Sequence, residues 1–190
     1  MARVLISICG GSGSGKSTLA KELAARLGEA RASRVSTDFF LQSNPYPTLD
    51  EFFRHPLAYD WALLAERLQG AHGEARSTPQ YDFLQFQRRA PEGGRPFNLR
   101  PLMILDAMLP YPAADFIFLV ETPDEVRRAR IIARDQAWGT RVIDYWPQHQ
   151  LTLAQLHQAP RHFTAVLSGL APIEDNLRRI CALTPVQPAW

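Results

Sequence analysis

Apolar residues fall along this chain in short dense runs separated by longer segments with helical spacing. Arg3–Cys9 (RVLISIC) is an apolar run rich in β-branched residues and closed by glycines, which predicts a buried strand. Leu19, Ala20, Leu23, Ala24 and Leu27 then recur at helical spacing, with Gly28 where a C-terminal cap belongs. Ser33–Thr37 predicts a second strand ending at Asp38, Leu102–Leu105 a third ending at Asp106, Phe116–Val120 a fourth and Phe163–Leu167 a fifth. Helices are predicted over Leu57–Gln69 (Leu63, Leu64 and Leu68 inward), Thr122–Arg134, Asp144–Gln158 and Ile173–Ile180. Residues 41–56, with Pro45, Pro47 and Pro56, read as an irregular excursion, and 88–101 as a turn-rich connection. Strands alternating with helices imply an α/β fold with a parallel sheet covered on both faces.

The densest chemistry is GGSGSGKST at 10–18, between the first strand and the first helix. Gly10, four residues and then Gly15-Lys16-Ser17 form a phosphate-binding loop, and strand-before, helix-after is the context that motif requires. Gly10, Gly11, Ser12, Gly13, Ser14, Gly15 and Thr18 would turn backbone N–H groups onto a polyphosphate at a helix N-terminus. Lys16 would reach the outer phosphates and the Ser17 hydroxyl would ligate Mg²⁺.

In a parallel sheet Asp38 and Asp106 both lie at the carboxyl edge, beside that loop. Asp106 ends PLMILD, the pattern of a carboxylate that holds Mg²⁺ directly or through water. Asp38 could accept a proton from an attacking hydroxyl, orient it, or help hold the metal. Arg127, Arg130 and Arg134 share one helix face. Arg130 and Arg134 are assigned to the migrating phosphoryl group, Arg127 and Arg128 to a solvated basic surface.

Composition narrows the class. At 190 residues, 46% hydrophobic and 21% charged, the chain reads as one globular domain. Its apolar runs are too short for a membrane span, and the first lacks a signal-peptide cleavage site, so a cytoplasmic location is expected. A net charge of +2 without a basic cluster excludes a nucleic-acid footprint. Nineteen of the 21 basic residues are Arg, so a Lys at position 16 calls for a specific reason. Cys9 and Cys181 make no disulfide framework and read as small apolar residues. His149, His157 and His162 lack metal-site spacing, and Trp61, Trp138 and Trp146 are assigned to packing.

From Arg3 to Ile180 the chain resembles the uridine kinase-like branch of P-loop kinases, which includes nucleoside, nicotinamide riboside, pantothenate and phosphoribulose kinases. The resemblance rests on GGSGSGKST, STDFF (36–40), HPLAYD (55–60), PQYDF (79–83), ILDAML (104–109) and VETPDEVRRARIIARD (120–135), in that order. It implies a P-loop NTPase three-layer fold: a five-stranded parallel sheet flanked by helices, an acceptor-binding excursion at about 41–100 and a small Arg-bearing lid at about 127–145. It also implies ATP as phosphoryl donor and a hydroxyl on a small molecule as acceptor. Arg54, His55, Tyr81 and Phe86 occupy the acceptor-binding positions. Three departures stand out: Asp106-Ala107 replaces Glu-Gly, Arg54 replaces the Asp that binds ribose hydroxyls, and Phe86 replaces a base-reading His. An altered acceptor pocket is therefore expected. The reading from another class is a nucleotide-binding ATPase or switch acting on a protein partner; it would need no acceptor pocket.

Overall fold

The computed structural model describes residues 3–137, 146–158 and 162–186. Trp138, the last part of the expected lid and the first two residues of the helix expected from Asp144 lie outside them. The element order is β1 (Val4–Cys9), α1 (Lys16–Leu27), β2 (Ala32–Ser36), a 3-10 turn (Thr37–Phe40), α2 (Leu49–Phe52), α3 (Trp61–Arg67), β3 (Ala75–Ser77), β4 (Gln80–Asp82), β5 (Gln87–Ala90), β6 (Pro96–Asn98), β7 (Leu102–Ala107), β8 (Phe116–Glu121), α4 (Asp124–Ala137), α5 (Trp146–Gln158), β9 (Ala165–Ser168) and α6 (Ile173–Leu183).

Five strands form one parallel sheet in the order β2-β7-β1-β8-β9. This is the α/β architecture expected from the sequence. β7 is buried at all six positions, which is why it reads as an unbroken apolar run. On one face Ile6, Ile8, Ile104 and Phe118 pack against Leu19, Leu23, Leu177 and Ile180 of α1 and α6. On the other, Cys9, Leu119 and Met108 meet Phe52, Leu57, Leu153 and Leu156. β1 is central, and the chain leaves its two sides in opposite directions. The loop after β1 therefore opens into the crevice at the carboxyl edge where such sheets bind ligands.

The excursion between β2 and β7 is more ordered than its composition suggested. Two small antiparallel pairs, β3 with β6 and β4 with β5, occupy it, so the expected turn-rich connection at 88–101 contains strand. The helix expected over Leu57–Gln69 begins only at Trp61, because the Asp60 side chain accepts from the Leu63 N–H and caps it. Before it, Tyr59 makes an isolated antiparallel bridge with Leu41. No helix among the described residues is long and apolar enough to cross a membrane.

Ile104 sits in the middle of the sheet with no exposed surface. Ile104→Ala is expected to cost about 2–5 kcal/mol, read as a lower denaturation midpoint at unchanged slope. A loss well under 1 kcal/mol would contradict the two-faced burial of β7.

Candidate active site

The phosphate loop leaves β1 at Gly10 and ends on Gly15, whose φ of 97° a side chain would strain. That turn sets Lys16 as the first residue of α1, where helix N–H groups point at the loop. Lys16 is buried to 8% exposure, and its Nζ reaches the Gly11 carbonyl at 3.4 Å. Behind it, Ser17 Oγ donates to Asp106 Oδ1 at 3.0 Å, joining the start of α1 to the end of β7. Asp106 is almost fully buried, with the Arg34 guanidinium 3.9 Å from its other oxygen. Among the described residues no group of three or more His, Cys, Asp or Glu could hold a metal ion. Ser17 with Asp106 is thus a hydroxyl–carboxylate pair, a donor set suited to an oxygen-seeking ion such as Mg²⁺.

Asp38 lies in the 3-10 turn after β2. Burial raises its pKa above the ordinary carboxylate value; Lys16 opposes that shift and Asp106 adds to it. The Tyr59 hydroxyl reaches Asp38 Oδ1 at 3.5 Å, and Arg134 also acts on the carboxylate. Burial, followed by the Asp38 charge, pushes the Tyr59 phenol well above its usual value, so it stays protonated and can donate. Lys16, Asp38, Asp106 and Arg134, singled out from different segments, therefore share one electrostatic site.

The loop is clamped from α4. Arg127 is only 4% exposed, which corrects its assignment to a solvated surface. Its Nε donates to the Ser12 carbonyl at 3.0 Å, its Nη1 to Asp124 Oδ1 at 2.8 Å, and its guanidinium lies 4.9 Å from the Trp146 ring centroid. A side chain on Gly11 would collide with that guanidinium at 2.5 Å. Helical spacing put Arg127 on the Arg130 and Arg134 face, but it could not say what that face packs on. Arg130 donates to the carbonyls of Gly13 and Gly169, both at 3.2 Å. Thr122, read from the sequence only as the start of a helix, donates from Oγ1 to the Ser14 carbonyl at 3.0 Å. Arg134 hydrogen-bonds Asp135 at 2.8 and 2.9 Å and stays partly exposed, while Arg128 is exposed as expected.

No family model matches the chain. A uridine kinase from Alkaliphilus metalliredigens is 32% identical over 158 residues, which span 78% of this chain and 76% of the relative. The chain belongs to the uridine kinase-like P-loop kinases. Solved structures agree on the fold. One described as a possible uridine kinase from Bacillus stearothermophilus superposes with a TM-score of 0.55 at 20% identity, covering 88% of this chain and 89% of the other. A sugar kinase from Janibacter sp. HTCC2649 gives 0.51 at 18% identity, covering 98% and 97%. As a member of this family the chain is a phosphotransferase.

The family's acceptor positions do not all fall together. Phe86 is buried, with φ +51° and its ring 5.0 Å from Phe52, 5.4 Å from Phe53 and 6.5 Å from Tyr81. The Tyr81 hydroxyl donates to the Gln42 carbonyl at 3.1 Å, and Asp38 acts on Tyr81 electrostatically. His55 is exposed and stacks on Tyr46 at 4.3 Å, and Arg54 beside it is exposed. His149, set aside in the sequence for lack of metal-site spacing, belongs to the charged part of the site. It is pushed down to about 4 by burial, then by Lys16, Arg127 and Arg134, and so is a neutral imidazole among the site's cations. A lone His without metal-site spacing gave no signal of this. Trp61 packs as expected, stacked on Tyr59 at 4.6 Å.

Arg127→Ala removes two charge-assisted bonds that shape the loop. It is expected to weaken ATP binding by roughly tenfold or more, measured by calorimetry. Arg127→Lys, which cannot span Ser12 and Asp124 together, should restore little. Wild-type affinity in the alanine variant would return Arg127 to a packing role.

Proposed function

We propose that the protein transfers the γ-phosphoryl group of ATP to a hydroxyl of a small molecule other than a pyrimidine nucleoside. The observation that carries this reading is the half-buried Asp38 carboxylate, which accepts from the Tyr59 hydroxyl and feels the charges of Lys16 and Arg134.

The roles follow from the chemistry of each group. Loop N–H groups and Lys16 bind the phosphates. Asp38, with Tyr59 donating to it, orients the acceptor hydroxyl and takes its proton. Arg130 and Arg134 stabilise negative charge on the transferring group. Ser17 and Asp106, with Asp38 near, are the residues that would hold Mg²⁺, which when bound neutralises charge on the triphosphate. A cleft of about 250 Å³ between Gly15, Thr18, Arg130, Gly169 and Ile173 adjoins the loop and suits the nucleotide base. The small-molecule acceptor is assigned to the side of the site where half-buried Phe53 and Tyr81 cover the buried Phe52 and Phe86. Phe86, buried against Phe52, Phe53 and Tyr81, offers no hydrogen bond to a base edge, and loss of such a contact lowers discrimination by orders of magnitude. The exposed Arg54 favours an acceptor bearing a carboxylate or phosphate.

A screen of nucleosides, vitamins, sugar phosphates and sugar acids, with ADP release as readout, tests the acceptor class. An anionic or non-pyrimidine acceptor is expected to give the highest kcat/KM, and uridine as best substrate would contradict the reading. Lys16→Ala should remove most turnover with a cooperative melt retained; near wild-type turnover would sink the loop assignment.

Asp38→Asn separates function from stability. Turnover should fall by about 10²–10⁴, the range for a lost general base. A carboxylate whose folded pKa is raised stabilises the fold fully below its unfolded pKa, and that contribution is lost as pH rises through the folded pKa. At pH 7 the asparagine variant should therefore melt at a higher temperature than wild type. A lower melting temperature with unchanged turnover would contradict both roles.

A further inference from the structure

Helix α5 is bonded to two parts of the site that are far apart in sequence. On one side, Gln150 Nε2 donates to Asp124 Oδ2 at 2.6 Å, and Asp124 Oδ1 accepts from the Arg127 that clamps the phosphate loop. On the other, Gln148 Nε2 donates to the carbonyls of Phe52 and His55, both at 3.2 Å. The Leu57 N–H donates to Thr152 Oγ1 at 3.0 Å, and that hydroxyl donates in turn to the Gln148 carbonyl at 2.9 Å. Gln148 is 1% exposed and Thr152 is fully buried.

A buried carboxamide and hydroxyl are not needed to pack this helix. Leu153 and Leu156 on the same helix already join Phe52 and Leu57 in an apolar cluster. Buried polar groups lose hydration and regain it only through well-placed partners, so they fix a geometry where apolar groups would merely fill space. The main-chain groups they fix outside α5 all belong to residues 52–57. Two residues further on, Tyr59 reaches Asp38.

We propose that Gln148 and Thr152 are positioning residues that set the backbone of 52–57, so that nucleotide on the phosphate loop and placement of the acceptor hydroxyl are coupled through α5. The proposal rests on the kinase reading for the role of Asp38. Its physical content is a coupling free energy between the loop clamp and the acceptor segment.

Hydrogen–deuterium exchange on the full chain, with and without a non-hydrolysable ATP analogue and Mg²⁺, tests it without knowledge of the acceptor. In wild type, nucleotide should protect 10–18 and 124–137 and also slow exchange in 49–60 by about five- to 150-fold, the usual span of coupling between sites. Thr152→Val keeps the shape and removes the hydroxyl, and Gln148→Met does the same for the carboxamide. Both should keep nucleotide protection at 10–18 and lose it at 49–60, and Thr152→Ser should restore it. A merely structural role would change baseline exchange and melting temperature alike in both states, leaving the nucleotide-dependent difference in place. Protection of 49–60 that survives in both variants, or that is missing from wild type while 10–18 is protected, overturns the coupling. Absence of protection at 10–18 overturns the nucleotide reading and the coupling with it, and that segment alone tells the two failures apart.

Discussion

The phosphate loop has almost no free space around Gly10, Gly11 and Gly13, and the rest of the site depends on that confinement. A Cβ on Gly10 would lie 2.4 Å from the Val120 carbonyl of β8, and one on Gly13 would lie 2.5 Å from the Arg127 carbonyl of α4. Real Cβ atoms do not tolerate such distances against backbone. The loop is therefore moulded between a strand of the sheet and the helix that carries the site's arginines. Any shift of α4 is felt at once by the groups that would cradle phosphate. Thr122 and Arg130 add side-chain bonds to the Ser14 and Gly13 carbonyls, next to the Ser12 carbonyl that Arg127 holds, so the strand–helix junction at 120–130 and the loop form one bonded unit.

Charge is arranged against this rigid unit at a cost in stability. Asp38 and Asp106 repel one another while sharing the field of Lys16, and burial holds Asp38 towards its neutral form. An acid whose pKa is raised is a better base towards a hydroxyl proton than an ordinary surface carboxylate. The neighbouring His149 stays uncharged among cations, so it adds no further positive charge to the site. The loop side of the site is bonded to α4 through Arg127 and Arg130 and to the end of β7 through Ser17 and Asp106. The acceptor side hangs on the small β4–β5 pair and on residues 52–60, which α5 holds from outside.

Much of this was readable from the residues, for identifiable reasons. β1, β7 and β8 are buried or nearly so along their length and read as apolar runs; the loop needs glycines at fixed offsets; and a strand-end aspartate at the carboxyl edge of a parallel sheet falls beside it. What stayed hidden has equally physical causes. β3 to β6 are three or four residues long and lie outside the main sheet, so no alternation could develop. Asp60 was read as part of a helical run because its capping role depends on a turn that spacing does not encode. Arg127 and Arg130 share a face and a residue type, yet one is buried against Ser12 and the other exposed, a difference made by tertiary packing alone. Among the described residues, the side-chain bonds of Gln148 and Thr152 run to residues 52–57 and to one another, so nothing local could mark them.

The central claim is that Asp38 acts as an ionised acid of raised pKa. Its most direct test is the pH dependence of kcat/KM with ATP and the best acceptor. As pH falls, activity should be lost through a group titrating above the ordinary carboxylate value of about 4, and that acid limb should vanish in the Asp38→Asn variant. A limb at or below that value, or one that persists unchanged in the variant, would contradict the account.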